Sequence, residues 1–467
     1  MISFFPKVIS NKGLLLYAVS LGMVSIAFMN YVMDWYWLLL GVMEVALFFL
    51  LSNRLSQDWQ NLSTKTFERN LFWVALLLRV IWLIFSYFFY IQQSGQPYEF
   101  DAADSFAYHE DAEWLADQPW ETTWNYLFLS RTSYSDSGYC LYLTFIYKIF
   151  GPNVFVARLL KCLLSAYSAV LLYRLASRTL GEQVGRLSAV FCMLMPNLII
   201  YCGLHLKETE MLFLLIAFLE RADYALRAPM VKFWDIAIPL LIAVAIFTFR
   251  SPLGAVALFA FVTGVLVGTV GKTRRARRVR LAIWIVLAIV VLAGGTVMSE
   301  VEQYWNQRGE NQEAKRTFQT LRGNQWARYA TAPVMAPIMF VIPFSTMVDT
   351  DQENQMLMHG GNYVRNFMGV FVIITLVNAL FVKKNWRDFA LIGSFVVGYL
   401  GVIAMSGFAN SERFVLPALP ILIISWAYGI SVLNAKSFRL VKLWYLIVPV
   451  MEIGWAIFKI GSRGLLE

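Results

Sequence analysis

The run Phe100-Asp101-Ala102-Ala103-Asp104-Ser105-Phe106-Ala107-Tyr108-His109-Glu110-Asp111-Ala112 holds the residue types best suited to chemistry. Asp104, Tyr108 and Asp111 recur at spacings of four and three, which sets them on one face of a helix, with Asp101 one turn earlier. Carboxylates grouped in this way can accept a proton from a hydroxyl as a general base, or hold a divalent metal ion. The spacing suits an ordinary acidic helix facing water equally well, so spacing alone leaves both readings open. The surrounding segment 94–137 adds Glu99, Glu110, Glu113, Asp117, Glu121 and Asp136, against Arg131 as its one basic residue.

Cations that would complement such carboxylates stand at the ends of apolar runs: Lys207 (followed by Glu208), Arg250 and Arg413. Arg316, Arg322 and Arg328 lie in a second polar segment, 299–365. Arginine suits bidentate contact with phosphate. Against this, Arg250 and Arg413 also fit the role of interface anchors that reach lipid headgroups, Lys207 and Glu208 can pair with each other, and the loop arginines can bind anionic lipid. Arg158 and Lys161 fall inside an apolar run, where a charge is costly and either functional or paired within the bundle. With His205, Asp101 and Asp104 form a candidate mixed set of ligands for a divalent metal ion. Trp114, Trp120, Trp124 and Tyr126 suit either stacking on sugar rings or an aromatic belt at the membrane interface.

The elements that must position these residues are membrane spans. Hydrophobic residues make up 59% of the 467 positions and charged residues 15%, with mean hydropathy +0.58, whereas soluble domains run near roughly 45–50% apolar and about 25% charged. A bilayer accommodates that apolar surface and water does not. Runs long enough to cross fall at 14–32, 35–52, 71–93, 153–173, 187–203, 209–225, 233–249, 253–271, 281–298, 366–382, 388–406, 414–432 and 443–461, giving about thirteen spans at ~20 residues each. The first run has no small-residue cleavage site after it and reads as a retained span. Basic residues gather after every second run: Lys7 and Lys12; Arg54, Lys65 and Arg69; Arg174, Arg178 and Arg186; Arg221 and Arg227; the cluster 272–280; Lys383, Lys384 and Arg387; Lys436, Arg439 and Lys442. These are expected to be cytoplasmic loops, with Arg463 a departure. The net charge of +9 thus belongs to loop topology, and no nucleic-acid partner is expected. The four cysteines, Cys140, Cys162, Cys192 and Cys202, form no CxxC pair and are expected as buried thiols. The expected fold class is an all-α polytopic transmembrane bundle forming one domain over 1–467. Its two long outer loops, 94–150 and 299–365, carry helices over 139–150 and 331–347 that lie along the outer membrane surface.

The order of features resembles the GT-C class of glycosyltransferases, in particular the protein O-mannosyltransferase and lipid A aminoarabinose transferase group. That group places an Asp-Glu or Asp-Ser pair, then a Tyr and an Ala, in its first large outer loop, and Asp104-Ser105 with Tyr108 and Ala112 matches this pattern. Gly138-Tyr139 to Phe150-Gly151 and Ala157-Arg158-Leu159 are similar to its surface helix and following helix start. Gly181 to Ala189, Pro196 and Gly203-Leu204-His205-Leu206-Lys207-Glu208 are similar to its next helix pair, and Glu412-Arg413-Phe414-Val415-Leu416-Pro417 through Pro420 to its RYxLPxxP segment. The resemblance covers roughly 71–225 and 388–432. Two departures stand out: two spans precede the one leading into the acidic loop, and Ser135-Asp136-Ser137 occupies the place of a Lys-Pro element.

The resemblance implies an enzyme that takes a sugar from a polyprenyl-phosphate-linked donor and gives it to a glycan, lipid or protein acceptor at the outer, periplasmic face of a bacterial inner membrane. It makes Asp104 the base and Asp101 its neighbour or a metal ligand, with Tyr108, Lys207, Glu208, Arg250, Arg413, Arg316 and Arg322 around the phosphate. Two other readings share the substrate chemistry. A polysaccharide polymerase or ligase acting on a pyrophosphate-linked glycan would lean on arginines more than on Asp104, and a lipid-linked-sugar flippase would show repeats and midplane sites.

Overall fold

The computed structural model describes residues 3–130, 135–228, 232–268, 332–350, 352–406 and 411–461, with isolated positions between 302 and 317. Among the described residues helix is the only regular structure, as expected where lipid offers no partner for an open backbone N–H or C=O. The order is α1 (Lys7–Ala27), α2 (Trp35–Asp58), α3 (Thr64–Ser94), α4 (Ala103–Ala116), α5 (Trp120–Trp124), α6 (Ser137–Phe150), α7 (Val154–Leu180), α8 (Glu182–Leu194), α9 (Pro196–Ile200), α10 (Glu208–Arg227), α11 (Phe233–Phe249), α12 (Ser251–Val267), α13 (His359–Val377), α14 (Ala390–Met405), α15 (Leu419–Ser431) and α16 (Ala435–Gly461). Among the described residues eight helices are long and apolar enough to cross a bilayer, α8–α9 adds a span bent by 56°, and α11 and α12 are shorter apolar helices. Each expected span overlaps helix, some of it broken by short 3-10 turns, except 281–298, which with the end of 253–271 lies outside the described residues. The chain is a polytopic helical membrane protein.

Sequence punctuation sets the helix that delivers the acidic loop. The Ser63 side chain accepts from the Thr66 N–H at 3.3 Å and starts α3, and Gly95, at φ 75°, ends it. The span Glu412–Ser431 has 89% of its apolar window buried, against 28% for α3 and for α16, so the former is central and the latter two face lipid. The centre is built from α7 packed on α3, α8 and α10, and from α13 packed on α2 and α15.

The bend in the α8–α9 span has an identifiable cause. Pro196 has no N–H, so the carbonyl of Cys192 loses its helical donor. Arg79, fully buried on α3, aims its guanidinium at this break, donating to the carbonyls of Met193 (3.3 Å) and Cys192 (3.5 Å) and to Ser165 Oγ (2.6 Å). The break directs the chain into the turn 201–207, which carries Lys207.

The second long loop differs from expectation in two ways. No helix runs over 331–347: a short helix (Ala332–Met335) and one 3-10 turn (Ala336–Ile338) give way to an irregular segment whose residues 341–347 are largely buried. Pro333, Pro337 and Pro343 withhold the N–H groups that a helix needs. Asn366 satisfies the backbone of the irregular segment that results, accepting from Ser345 N–H (3.1 Å) and donating to the carbonyls of Val341 (2.7 Å) and Pro343 (3.0 Å). Asn366→Leu should therefore lower stability by about 2–4 kcal/mol by orphaning these groups, read as a drop in thermal unfolding midpoint in detergent; an unchanged midpoint would discard this account. The second difference is that α13 begins at His359, earlier than the expected 366. Its polar first turns stay helical because each finds a buried partner: His359 with Tyr17 (2.8 Å), the Gly361 N–H with Glu44 (2.7 Å), and Asn362 with Asn197 (2.9 Å).

Candidate active site

Helix α4 packs on α6 and buries Ser105, Tyr108, Ala112 and Leu115, with the Tyr108 ring edge-on to Tyr139 at 5.0 Å. Asp104 lies in the first turn of α4 at the border of this contact, its side chain 55% exposed. There it meets Arg413 from the short helix Glu412–Val415: Asp104 Oδ2 accepts from Arg413 Nη1. Arg413 Nε donates to Oε1 of Glu208, the first residue of α10, whose side chain is fully buried. Arg250, in extended backbone between α11 and α12, brings Nη2 to 3.7 Å from the same oxygen and lays its guanidinium over the Phe414 ring at 4.4 Å.

Lys207 completes the cluster. Its Nζ forms an ion pair with Asp136 and donates to the Phe249 carbonyl at 2.9 Å. Lys207 and Glu208 therefore take different partners and do not pair with each other. Burial pushes the Lys207 ammonium down to about 7, with Arg250 beside it adding to the shift and Glu208 opposing it. The Tyr108 hydroxyl is pushed up, mainly by burial.

Four helix ends and one acidic loop thus converge at one end of the bundle. Among the described residues, the buried atoms Arg250 Nη1 and Glu208 Oε2 find no hydrogen-bond partner. Unpaired buried polar groups are costly and mark places where a ligand or water supplies the missing bond. The arrangement offers a half-exposed carboxylate beside three cations, which suits proton acceptance next to an anionic leaving group.

Other expected residues fall elsewhere. Asp101 is exposed, held at φ 54°, and makes no ion pair to a described residue. His205 is fully buried in a second network, with its backbone N–H donating to Glu99 Oε2 (3.0 Å) and its ring Nε2 at 3.3 Å from the Tyr147 hydroxyl. Asp101, Asp104 and His205 are therefore not gathered as one ligand set, because Glu99 and Tyr147 anchor His205 separately. Among the described residues no three His, Cys, Asp or Glu side chains are arranged to hold a metal ion. Asp111 shares the face of Asp104 but serves Tyr126, which donates to it at 3.2 Å. Arg316, Arg322 and Arg328 lie outside the described residues.

Arg158 and Lys161, the charges within an apolar run, each lie near a buried carboxylate. Arg158 lies 3.7 Å from Glu99, and Lys161 lies 3.6 Å from Glu210 while donating to the Leu204 carbonyl at 2.8 Å. Lys161 thereby braces the turn that presents His205 and Lys207. Sequence reasoning missed Glu99 and Asp136 as site-forming residues. Both sit among the other acids of the loop, and spacing does not separate them from solvated neighbours.

The sequence matches no protein-family model. It matches no curated protein either. Among solved structures the chain is similar to the oligosaccharyltransferase of Archaeoglobus fulgidus, crystallised with an acceptor peptide containing the NVT sequon tethered through a disulfide bond. The TM-score is 0.45 at 14% identity, over 87% of this chain and 56% of that one. The match thus spans little more than half the length of that enzyme.

Proposed function

We propose that this chain is a GT-C-type glycosyltransferase that moves a sugar from a polyprenyl-phosphate-linked donor to an acceptor hydroxyl at the outer face of a bacterial inner membrane. The observation that carries this reading is the contact of Asp104 with Arg413 inside the Arg413–Glu208–Arg250 cluster, with Lys207 adjacent. The acceptor oxygen attacks the anomeric carbon and the bond from that carbon to the phosphate oxygen breaks. The bonding pair leaves with the phosphate, and the hydroxyl proton passes to Asp104. Negative charge grows on the phosphate as the bond breaks, and Arg250, Arg413 and Lys207 stabilise it where water is scarce. Glu208 holds the two arginines together and aimed, since like charges so placed would otherwise splay.

Mass spectrometry of lipids copurified with the protein tests the reading. A polyprenyl phosphate, free or sugar-linked, is expected, and recovery of bulk phospholipid alone would count against it. A second expectation follows from Lys207. A lysine with its midpoint at about 7 is charged below that pH and neutral above it, so its grip on phosphate fades as pH rises. The donor KM should increase between about pH 6 and about pH 8, by up to roughly tenfold per unit above the midpoint. Lys207→Arg, charged throughout, should flatten the profile, and an equally steep profile in that variant would assign the effect to another group.

A further inference from the structure

Among the described residues the cluster is balanced in charge before any substrate arrives. Lys207, Arg250 and Arg413 face Asp104, Asp136 and Glu208, three cations against three carboxylates. A phosphate entering this balanced set adds negative charge and competes with the resident carboxylates, and one that gives way frees a cation for it.

The three are not equally able to do so. Glu208 is fully buried and shared by two arginines, so moving it would leave both unpaired. Asp104 is the proton acceptor of the reading above and must stay beside the acceptor. Asp136 differs from both. Its side chain is 38% exposed while that of Lys207 is 5% exposed. Its backbone is already fixed, at φ 76° in the turn that starts α6. Independent bonds pin that turn to the α11–α12 junction: Ser135 Oγ lies 3.1 Å from Ser251 Oγ, and the Asp136 N–H reaches the Phe249 carbonyl at 3.4 Å. Ser137 Oγ also donates to the Leu127 carbonyl at 2.9 Å. The carboxylate can therefore swing toward water by side-chain rotation alone, with the turn left in place. The Phe249 carbonyl keeps Lys207 Nζ in position when it does.

We infer that Asp136 is a built-in stand-in for the donor phosphate: it neutralises Lys207 in the empty enzyme and is displaced from it by an isoprenoid phosphate, so that it sets how tightly the donor binds. The inference rests on the glycosyltransferase reading of the cluster. In that role Asp136 is a specificity-determining residue that opposes binding, and it keeps a buried ammonium from standing uncompensated between turnovers.

The test is a double-mutant cycle in nanodiscs, with farnesyl phosphate as the probe and binding measured near pH 6, where Lys207 holds its proton. Asparagine tolerates the left-handed backbone as aspartate does, so Asp136→Asn retains the turn, and an unchanged unfolding midpoint checks this. Asp136→Asn should bind the probe roughly tenfold tighter than the unaltered protein, the scale of one charge-assisted bond that no longer has to be broken. In a Lys207→Met background, which itself binds more weakly, the same substitution should bring no gain. If Asp136→Asn binds no tighter, or gains equally with and without Lys207, the stand-in role is overturned while the phosphate site stands. If neither the unaltered protein nor Asp136→Asn binds the probe, the glycosyltransferase reading of the cluster falls, and this inference with it.

Discussion

Asp104→Asn is expected to reduce sugar transfer by about 10²–10⁴-fold, the range for loss of a general base, with donor binding largely retained. Asparagine has nearly the same shape and its amide oxygen can still accept from Arg413, so the contact between α4 and the Glu412–Val415 helix survives. The Asp104 side chain is half-exposed, and an exposed ion pair contributes only ~0–1 kcal/mol, so the unfolding midpoint should barely move. What is lost is the ability to take a proton. Transfer assays with a polyprenyl-phosphate-linked sugar, run beside binding of farnesyl phosphate, read the two effects separately. Near-normal transfer by this variant would remove Asp104 from the mechanism.

Arg413→Ala should damage both chemistry and fold. Arg413 is hydrogen-bonded to both Asp104 and Glu208. Removing it leaves the buried Glu208 carboxylate with Arg250 Nη2 at 3.7 Å and one oxygen already without a hydrogen-bond partner among the described residues. Stranding a buried charge costs about 3–5 kcal/mol, and loss of one preorganised contact to developing charge costs about 10²–10³-fold in rate. Arg413→Ala combined with Glu208→Gln separates the two effects: neutralising the stranded carboxylate should restore much of the unfolding midpoint and none of the transfer. A stable, active Arg413→Ala protein would contradict both halves. The same pair of positions distinguishes the transferase from a ligase acting on a pyrophosphate-linked glycan, in which Arg413→Ala would abolish the reaction while Asp104→Asn left it largely intact.

Part of this site is legible in the sequence because its rules are local. The period of a helix groups Asp104, Tyr108 and Asp111, and α4 does form there, with Tyr108 buried beside the cluster. That period cannot tell which of the two aspartates meets a cation: Asp104 reaches Arg413 and Asp111 serves Tyr126. Charge at the ends of apolar runs marks Lys207, Arg250 and Arg413 as candidates, yet it suggests a Lys207–Glu208 pair that does not form. Residues adjacent in sequence at the start of a helix point in different directions, so each is free to find another partner. The expected helix over 331–347 failed for a similar reason. Its apolar pattern is visible, but three prolines break the backbone ladder, and the Asn366 side chain that satisfies the irregular backbone comes from another element.

The sequence by itself determined that the chain crosses a bilayer many times and where most of its helices run. Hydropathy and capping act within a turn or two, so twenty neighbouring residues suffice to express them. Only the tertiary structure decided which charges meet. Asp104 and Arg413 are separated by 309 positions, Arg413 and Glu208 by 205, and their contact depends on how α4, α10 and the Glu412–Val415 helix pack. Coulomb attraction and hydrogen bonding operate through space over a few ångströms, and sequence order carries no measure of that distance until the bundle is assembled.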